Sequence, residues 1–211
     1  MRLFYGSENL VVKPEYGKGS SSNDYGLGFY LTDEINMARL WATRFKNGGY
    51  CITYEVDSAD FNILKLDGDS DEDVLRWISI LVKHRFSRSD YEANRNVIDF
   101  LSSEYKTETD VYDMIIGYRA DDSYFAYSLD FVENELSLEL LGNAMKIGKL
   151  GKQYVLKSKK AFNKVKMISY EKVEPSSAYD EFRKKALDEY HKLKRDDNIN
   201  NTYIRDLMRQ K

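Results

Sequence analysis

The chain has 211 residues, of which 42% are hydrophobic and 14% aromatic, and this is enough to bury the core of one domain. Its formal net charge of -3 gives no overall basic character of the kind that nucleic-acid-binding and membrane-surface proteins carry. A single cysteine, Cys51, excludes an internal disulfide framework, and the lack of a signal-peptide pattern or a long apolar run predicts a cytoplasmic protein that does not enter a membrane.

The first half of the chain predicts a strand, a helix and a second strand. The segment RLFYG (2–6) opens as a short strand, and YCITYEV (50–56) has the alternation of a half-buried strand, in which Cys51 is structural. Between them, DEINMARLWATRF (33–45) predicts a helix capped by Thr32. The apolar face of that helix consists of Met37, Ala38, Trp41 and Phe45.

The second half predicts further helices and strands, followed by a charged tail. These elements cover residues 69–86 and 136–146 as helices and 111–117, 153–158 and 165–173 as strands. Ser70 and Asp73 have the spacing of a capping box at the first of these helices. The composition becomes highly charged after residue 174, which predicts a compact domain over 1–174 and an amphipathic helical tail over 175–211, capped by Ser177 and packed on the domain or on a partner. The apolar face of the tail consists of Ala178, Phe182, Ala186 and Leu193.

The segment NDYGLGFYLTD (23–33) combines two glycines with two tyrosines just before a strand begins. Gly26 and Gly28 permit a positive φ or a close approach of the backbone to a ligand, and Tyr30 offers a ring on which a planar group stacks. A simple turn has the same composition, so this segment by itself leaves both interpretations open.

Three separated segments resemble, in order and spacing, the signature segments of ADP-ribosyltransferases of the diphtheria-toxin and poly(ADP-ribose) polymerase type. These segments are FYGS (4–7), YGLGFYLT (25–32) and KQYVLKS (152–158). In that superfamily they carry His-Gly-Ser or His-Gly-Thr, then Tyr-Gly-x-Gly-x-Tyr, then Glu-Tyr-x-Val. Nearly the whole chain also resembles an uncharacterised bacterial family related to these enzymes, through IIGYRADDSYF (115–125), KQYVLKSKKAF (152–162) and YIRDLMRQ (203–210). Its members often sit beside a small companion protein in what look like toxin-antitoxin pairs.

The resemblance implies an α+β fold in which two packed mixed sheets form a split β-sandwich with flanking helices and bind NAD in the cleft between them. It implies a mono-ADP-ribosyltransferase that transfers ADP-ribose from NAD to a macromolecular acceptor, protein or nucleic acid, as a bacterial toxin-like protein with a companion antitoxin. A catalytically degenerate domain that binds NAD, another nucleotide or a partner is the alternative, and a structural interaction protein is a third. Two histidines and one cysteine are too few for a metal cluster, so no metal is expected.

The resemblance also assigns roles to individual residues. The implied NAD-binding residues are Tyr5, Gly6, Ser7, Tyr25, Gly28 and Tyr30. Of these, the Gly6 backbone bonds the nicotinamide carboxamide, Ser7 faces the adjoining ribose, and Tyr30 stacks on the nicotinamide ring with Tyr25 on its other side. Tyr5 stands where the superfamily commonly has histidine, so its phenol replaces an imidazole.

The catalytic assignment contains a second departure, because Gln153 stands where the superfamily has its acidic residue. A glutamine orients a ribose hydroxyl but carries no charge to stabilise an oxocarbenium ion, which makes chain elongation unexpected and leaves single transfer, NAD hydrolysis or loss of activity. Asp121 and Asp122 follow a buried strand, where they either supply the missing carboxylate or form a solvated turn.

Charge is unevenly distributed in the second half of the chain. Nine lysines and one acid, Glu171, lie between Lys146 and Lys172, whereas the segment 120–139 is strongly acidic. The lysines predict a basic face for the NAD pyrophosphate, an acidic partner or a nucleic acid, with a solvated strand face as the alternative.

Overall fold

The computed structural model describes residues 1–68, 70–120, 122–145 and 151–210. The strands in these ranges are β1 (Arg2–Ser7), β2 (Phe29–Thr32), β3 (Gly49–Val56), β4 (Ile63–Leu66), β5 (Met114–Gly117), β6 (Gln153–Leu156) and β7 (Val165–Val173). The α-helices are α1 (Ile35–Ala42), α2 (Asp71–Arg85), α3 (Arg88–Ala93), α4 (Arg95–Glu104), α5 (Asp122–Val132), α6 (Leu138–Ala144), α7 (Lys159–Asn163), α8 (Ala178–Arg195) and α9 (Ile204–Arg209). The predicted strands β1, β3, β5, β6 and β7 and the predicted long helices α2 and α8 are confirmed.

The seven strands form one mixed sheet in the order β4-β5-β6-β2-β1-β3-β7, in which only β4 and β5 are parallel. At its centre, β1 and β2 pair only through Phe4 and Thr32. All four residues of β2 pair with β6, and six residues of β1 pair with β3. Because the two central strands diverge beyond one residue pair, the sheet divides there into two halves.

This arrangement corrects the expectation of two separate sheets. The mixed α and β composition is as predicted, but the hydrogen-bonded ladder continues through the Phe4–Thr32 pair, so the two halves belong to one sheet. β2 is four residues long; all four pair with β6 along one edge, whereas a single residue pair joins its other edge to β1.

Two hydrophobic clusters cover opposite faces of the sheet. One contains α2, α5 and α6, with Trp77, Tyr127 and Phe131 at its centre, and the other contains Ile52 and Phe162. Because side chains alternate along a strand, neighbouring residues of β2, β5 and β6 contribute to different clusters.

The helix caps were predicted only in part. Ser70 caps α2 and accepts the Asp73 N–H at 3.2 Å, as the spacing indicated. Thr32 does not cap α1, because it ends β2 and the N-cap of α1 is Glu34. Ser177 is the N-cap residue of α8, but its hydroxyl donates to a Glu181 carboxylate oxygen and accepts no helix N–H.

The C-terminal helix α8 packs against the domain through an aromatic stack. The Tyr190 ring lies 3.6 Å from the Tyr127 ring of α5 at an interplanar angle of 21°, and its hydroxyl donates to Asp130 at 2.5 Å. Ala186, on the predicted apolar face, is buried beside this stack, and its carbonyl accepts a hydrogen bond from Tyr127 at 3.3 Å. The periodicity of the tail therefore located the packed side of the helix but missed its two large buried side chains, Tyr179 and Tyr190.

Candidate functional site

A cleft of about 390 Å³ lies where β1 and β2 diverge. Its lining comes from β1, β2, the first residue of β6, helix α1, the loop 8–28, the end of α2 and the loop that follows β5. The gap between the two strands gives the cleft access to side chains from both faces of the sheet. Its volume is in the range of small-molecule sites, which makes it the candidate site of this chain.

Strand pairing brings the three signature segments to this cleft. Thr32 of β2 pairs with Phe4 of β1 on one side and with Gln153 of β6 on the other, so one residue row crosses all three segments. Gly6, Gly28, Tyr30 and Gln153 all belong to the lining. Segments that lie far apart in the sequence therefore meet at one place in the fold.

Two glycines of these segments are required by the packing around the cleft. A Cβ on Gly6 would lie 2.2 Å from the Ala38 carbonyl oxygen of α1, so the strand approaches the helix more closely than any other residue permits. Gly26 has a φ of +74°, and a Cβ there would lie 2.6 Å from the imidazole of His84. The first glycine supports close approach and the second the left-handed backbone of the turn.

The two motif tyrosines have different positions. Tyr30 lines the cleft, its hydroxyl donates to the Gly26 carbonyl at 2.5 Å and accepts the Tyr25 N–H at 3.0 Å, and burial raises its pKa. Tyr25 is 0% exposed, and its hydroxyl donates to the Tyr118 carbonyl at 2.7 Å. A ring enclosed in the core cannot stack on a ligand, so the structure places Tyr25 as a support of the Tyr30 turn and not as the second face of a nicotinamide site.

Tyr5 and Ser7 project from the opposite side of β1 to Gly6. The Tyr5 ring lies 4.8 Å from the Phe29 ring, lines the cleft, and has its pKa raised by burial. Ser7 is half-buried at the end of β1 and is not part of the described lining. Of the first segment, Tyr5 and Gly6 therefore reach the cleft.

Gln153 lines the cleft from the start of β6, where it is only 8% exposed. Its Oε1 is buried and has no hydrogen-bond partner among the residues that the structure describes. A buried acceptor left without a partner typically destabilises a protein by about 1–3 kcal/mol, so it points to a ligand or to a function.

A buried carboxylate that the sequence analysis missed, Asp24, also lines the cleft. Asp24 is 5% exposed; it accepts from Arg85 Nη1 at 3.1 Å and from the Ala120 N–H at 2.8 Å. Asp121 lies outside the described residues, and Asp122 begins α5 with a side chain that is also outside them. Asp24 directly precedes the glycine motif, which was the available signal, but its burial depends on α2 and on the loop after β5.

Trp41 was predicted as an apolar side chain of α1 and also lines the cleft. Its ring meets the Tyr179 ring of α8 edge-on at 5.3 Å, and the Arg44 guanidinium lies 4.3 Å from its centre. The helical spacing that placed Trp41 on the packed face therefore also identified a cleft residue.

Residues 1–167 match the family described as "Protein of unknown function (DUF3990)". This chain belongs to that family. The match contains every described element that lines the cleft, whereas α8 and α9 follow it. No curated protein and no solved structure matches the chain.

Several lysines in the lysine-rich segment of this DUF3990 member are paired with acidic side chains. Lys152 pairs with Asp67, Lys160 with Asp113 at 3.0 Å and Lys164 with Asp57 at 3.0 Å. Lys146 and Lys149 lie outside the described residues. Acidic side chains from other parts of the chain therefore neutralise much of the charge that the sequence concentrates there.

Lys157 has a structural position in the same DUF3990 domain. Its side chain is 5% exposed, and Nζ donates to the carbonyls of Tyr25 and Leu27 at 2.8 Å each. Burial lowers the pKa of this ammonium group. Lys157 thus stabilises the glycine turn through its carbonyl groups, and the backbone of the same turn forms hydrogen bonds with the Tyr30 hydroxyl.

The two chemically reactive side-chain types that the sequence analysis set aside lie away from the described lining of the DUF3990 cleft. Burial raises the pKa of Cys51 to about 12, and burial lowers the pKa of His84. Across the described ranges, no three His, Cys, Asp or Glu side chains are grouped so as to hold a metal ion. In the same ranges, no helix has both the length and the apolar character needed to cross a bilayer.

Proposed function

We propose that this DUF3990 chain is a mono-ADP-ribosyltransferase that cleaves NAD between nicotinamide and ribose and transfers ADP-ribose to a macromolecular acceptor. The observation that carries the proposal is the buried Oε1 of Gln153, which has no partner among the described residues and lies in a cleft shared with Gly6 and Tyr30. Each of these residues comes from a different signature segment. The divergence of β1 and β2, which opens the cleft beside all three segments, also supports the proposal.

The cleft offers complementary surfaces to the two ends of the scissile bond. Tyr30 and Trp41 provide aromatic rings, and the backbone of Gly6 provides hydrogen-bonding groups, for a flat ring that carries a carboxamide. Gln153 Oε1 provides an acceptor for a ribose hydroxyl. Nicotinamide leaves as a neutral molecule, so the cleavage needs no general acid.

Gln153 contributes by orientation rather than by charge. Cleavage develops positive charge on the ribose, and a preorganised amide oxygen that holds the adjoining hydroxyl positions the sugar and directs a dipole at that charge. A glutamine cannot take a proton from an incoming sugar hydroxyl, so a single transfer is favoured over chain elongation. Asp24 is already held by Arg85 and by the Ala120 N–H, and the proposal therefore keeps Asp121 and Asp122 as the carboxylates that assist transfer.

A catalytically degenerate nucleotide-binding domain is the second candidate, and two residue types favour it. Gln153 replaces an acid and Tyr5 replaces a histidine, and both side chains are in the cleft. In this case the site retains NAD or a related nucleotide without cleaving it. A companion antitoxin belongs to the first candidate, since only an active transferase needs to be neutralised.

The deciding experiment incubates the protein with NAD labelled in its adenine and with a cell lysate, and then separates the protein and nucleic-acid fractions. We expect label in one fraction and release of nicotinamide. The variant Gln153→Ala should lower the rate by about 30- to 1,000-fold, the effect of losing one preorganised transition-state group worth about 2–4 kcal/mol, with NAD binding retained. Gln210→Ala is the matched control, because Gln210 is an exposed glutamine at the end of α9.

The outcomes separate the two candidates. Wild-type protein that binds NAD but releases no nicotinamide supports the degenerate domain. Equal transfer by wild type and by Gln153→Ala removes Gln153 from the catalytic position. Changing Asp121 and Asp122 to Asn should slow transfer far more than it weakens NAD binding, because their charge is felt mainly in the transition state.

A further inference from the structure

Five charged side chains line the described part of the cleft, and the three cations outnumber the two carboxylates. They are Glu15, Lys18, Asp24, Arg85 and Arg119. Arg85 is the last residue of α2, and Arg119 follows β5. The cleft therefore combines aromatic rings with two guanidinium groups and a lysine.

Arg85 is held in place by contacts on two sides. Its Nη1 pairs with Asp24 at 3.1 Å, and its guanidinium lies 5.4 Å from the centre of the Phe125 ring. The second Asp24 oxygen accepts the Ala120 N–H at 2.8 Å, so a single carboxylate ties the end of α2 to the loop that carries Arg119. Such a bracing contact fixes the orientation of a guanidinium before any ligand enters.

We infer that Arg85 and Arg119 form a binding site for the diphosphate of a nucleotide, and that the Asp24 carboxylate positions this site while weakening its positive field. The choice of ligand rests on the proposed function. Guanidinium groups match phosphate oxygens with paired N–H donors, and the neighbouring aromatic side chains Tyr30 and Trp41 suit a planar base or nicotinamide ring. Of the lysines expected for this role, Lys152, Lys160 and Lys164 are engaged with aspartates and Lys157 with backbone carbonyls.

The test measures ADP binding by calorimetry, because ADP has the diphosphate but no nicotinamide bond to cleave. Arg85→Gln should weaken ADP binding by about 10- to 100-fold, as expected for a lost charge-assisted hydrogen bond. Arg85→Lys keeps the charge and should recover part of the affinity. Arg76→Gln is the matched control, since Arg76 is on the same helix, removes the same charge and pairs on the surface with Glu72.

Asp24→Asn gives a change in the opposite direction. It removes a buried negative charge beside Arg85 and should tighten ADP binding by about ten-fold, with an effect that diminishes as salt rises. The melting temperature of the Asp24→Asn variant shows whether that variant folds. If it does not fold, Arg119→Gln is tested instead and should weaken ADP binding as Arg85→Gln does. Nicotinamide affinity should be the same in all these variants.

Two results overturn the inference: wild-type protein that does not bind ADP, or ADP affinity that is equal in wild type, Arg85→Gln and Arg76→Gln. Failure of the proposed function looks different. If no nicotinamide is released from NAD but ADP binding depends on Arg85, the diphosphate site stands and the transferase proposal fails. If NAD is cleaved while Arg85→Gln leaves ADP affinity unchanged, only the diphosphate site fails.

Discussion

Replacing Gln153 by methionine should make the protein more stable and inactive at the same time. Methionine has nearly the same length and flexibility as glutamine, and it removes a buried Oε1 that has no partner among the described residues. Removing such an atom is worth about 1–3 kcal/mol, and repacking of a slightly larger end group offsets up to about 1.5 kcal/mol. We therefore expect the free energy of unfolding to rise by about 1 kcal/mol and Tm by about 2–4 °C for a chain of this size.

The assay is urea unfolding of wild type and Gln153→Met, compared at equal m-value, together with nicotinamide release from NAD. Ser137→Ala is the control, because Ser137 is also buried but is fully engaged: its hydroxyl donates to Asp197 at 2.7 Å and accepts the Leu140 N–H at 3.3 Å. This control should lose about 0.5–2 kcal/mol, the usual cost of a deleted helix cap. If Gln153→Met loses stability as Ser137→Ala does, Oε1 is satisfied in the native protein and the argument from its burial fails.

Three further predictions concern the turn, the tail and the response to pH. Tyr30→Ala should weaken NAD binding by about ten-fold or more through loss of ring contact, whereas Tyr30→Phe should retain the binding and lower Tm, because only its two backbone hydrogen bonds are lost; equal NAD affinity in Tyr30→Ala would contradict a stacking role. Tyr190→Ala should cost about 3–5 kcal/mol in denaturant unfolding, since this 1% exposed ring stacks on α5, and an unchanged midpoint would show that α8 adds nothing to the domain. Burial and the nearby Lys157 hold the pKa of His84 in the folded protein below its usual 6.5, so the neutral imidazole favours folding. The contribution of His84 to the free energy of unfolding is therefore fully present above about pH 6.5 and should be lost as pH falls through the folded pKa. His84→Asn should flatten that acid decline, and His191→Asn, at an exposed position of α8, should not.

The amino-acid sequence by itself determined most of the secondary structure. The alternation in β3, the apolar run of β5 up to Gly117 and the Ser70 cap of α2 are local patterns, set by side-chain period and by backbone hydrogen bonding within a few residues. The signature segments also pointed to Gly6 and Gln153 before their positions in space were known. Local pattern was sufficient for the strands and the helix cap because each depends on neighbouring residues alone.

Only the tertiary structure decided which motif residues reach the cleft. Tyr25 and Tyr30 lie in one segment and are equally aromatic, yet one is enclosed in the core and the other lines the cleft, because a positive φ at Gly26 turns the chain between them. The position of Asp24 in the cleft likewise depends on a distant element, because its partner Arg85 comes from α2.

The charge of the lysine-rich segment also could not be interpreted from the sequence alone. In the sequence its lysines have one acid among them, whereas in the fold Lys152 and Lys160 are paired with Asp67 and Asp113, and Lys157 is buried against two carbonyls. The local sequence shows which residues are charged, but the groups that neutralise those charges come from distant strands and loops. Burial and pairing are therefore properties of the folded chain, and they determine which charges remain to bind a ligand.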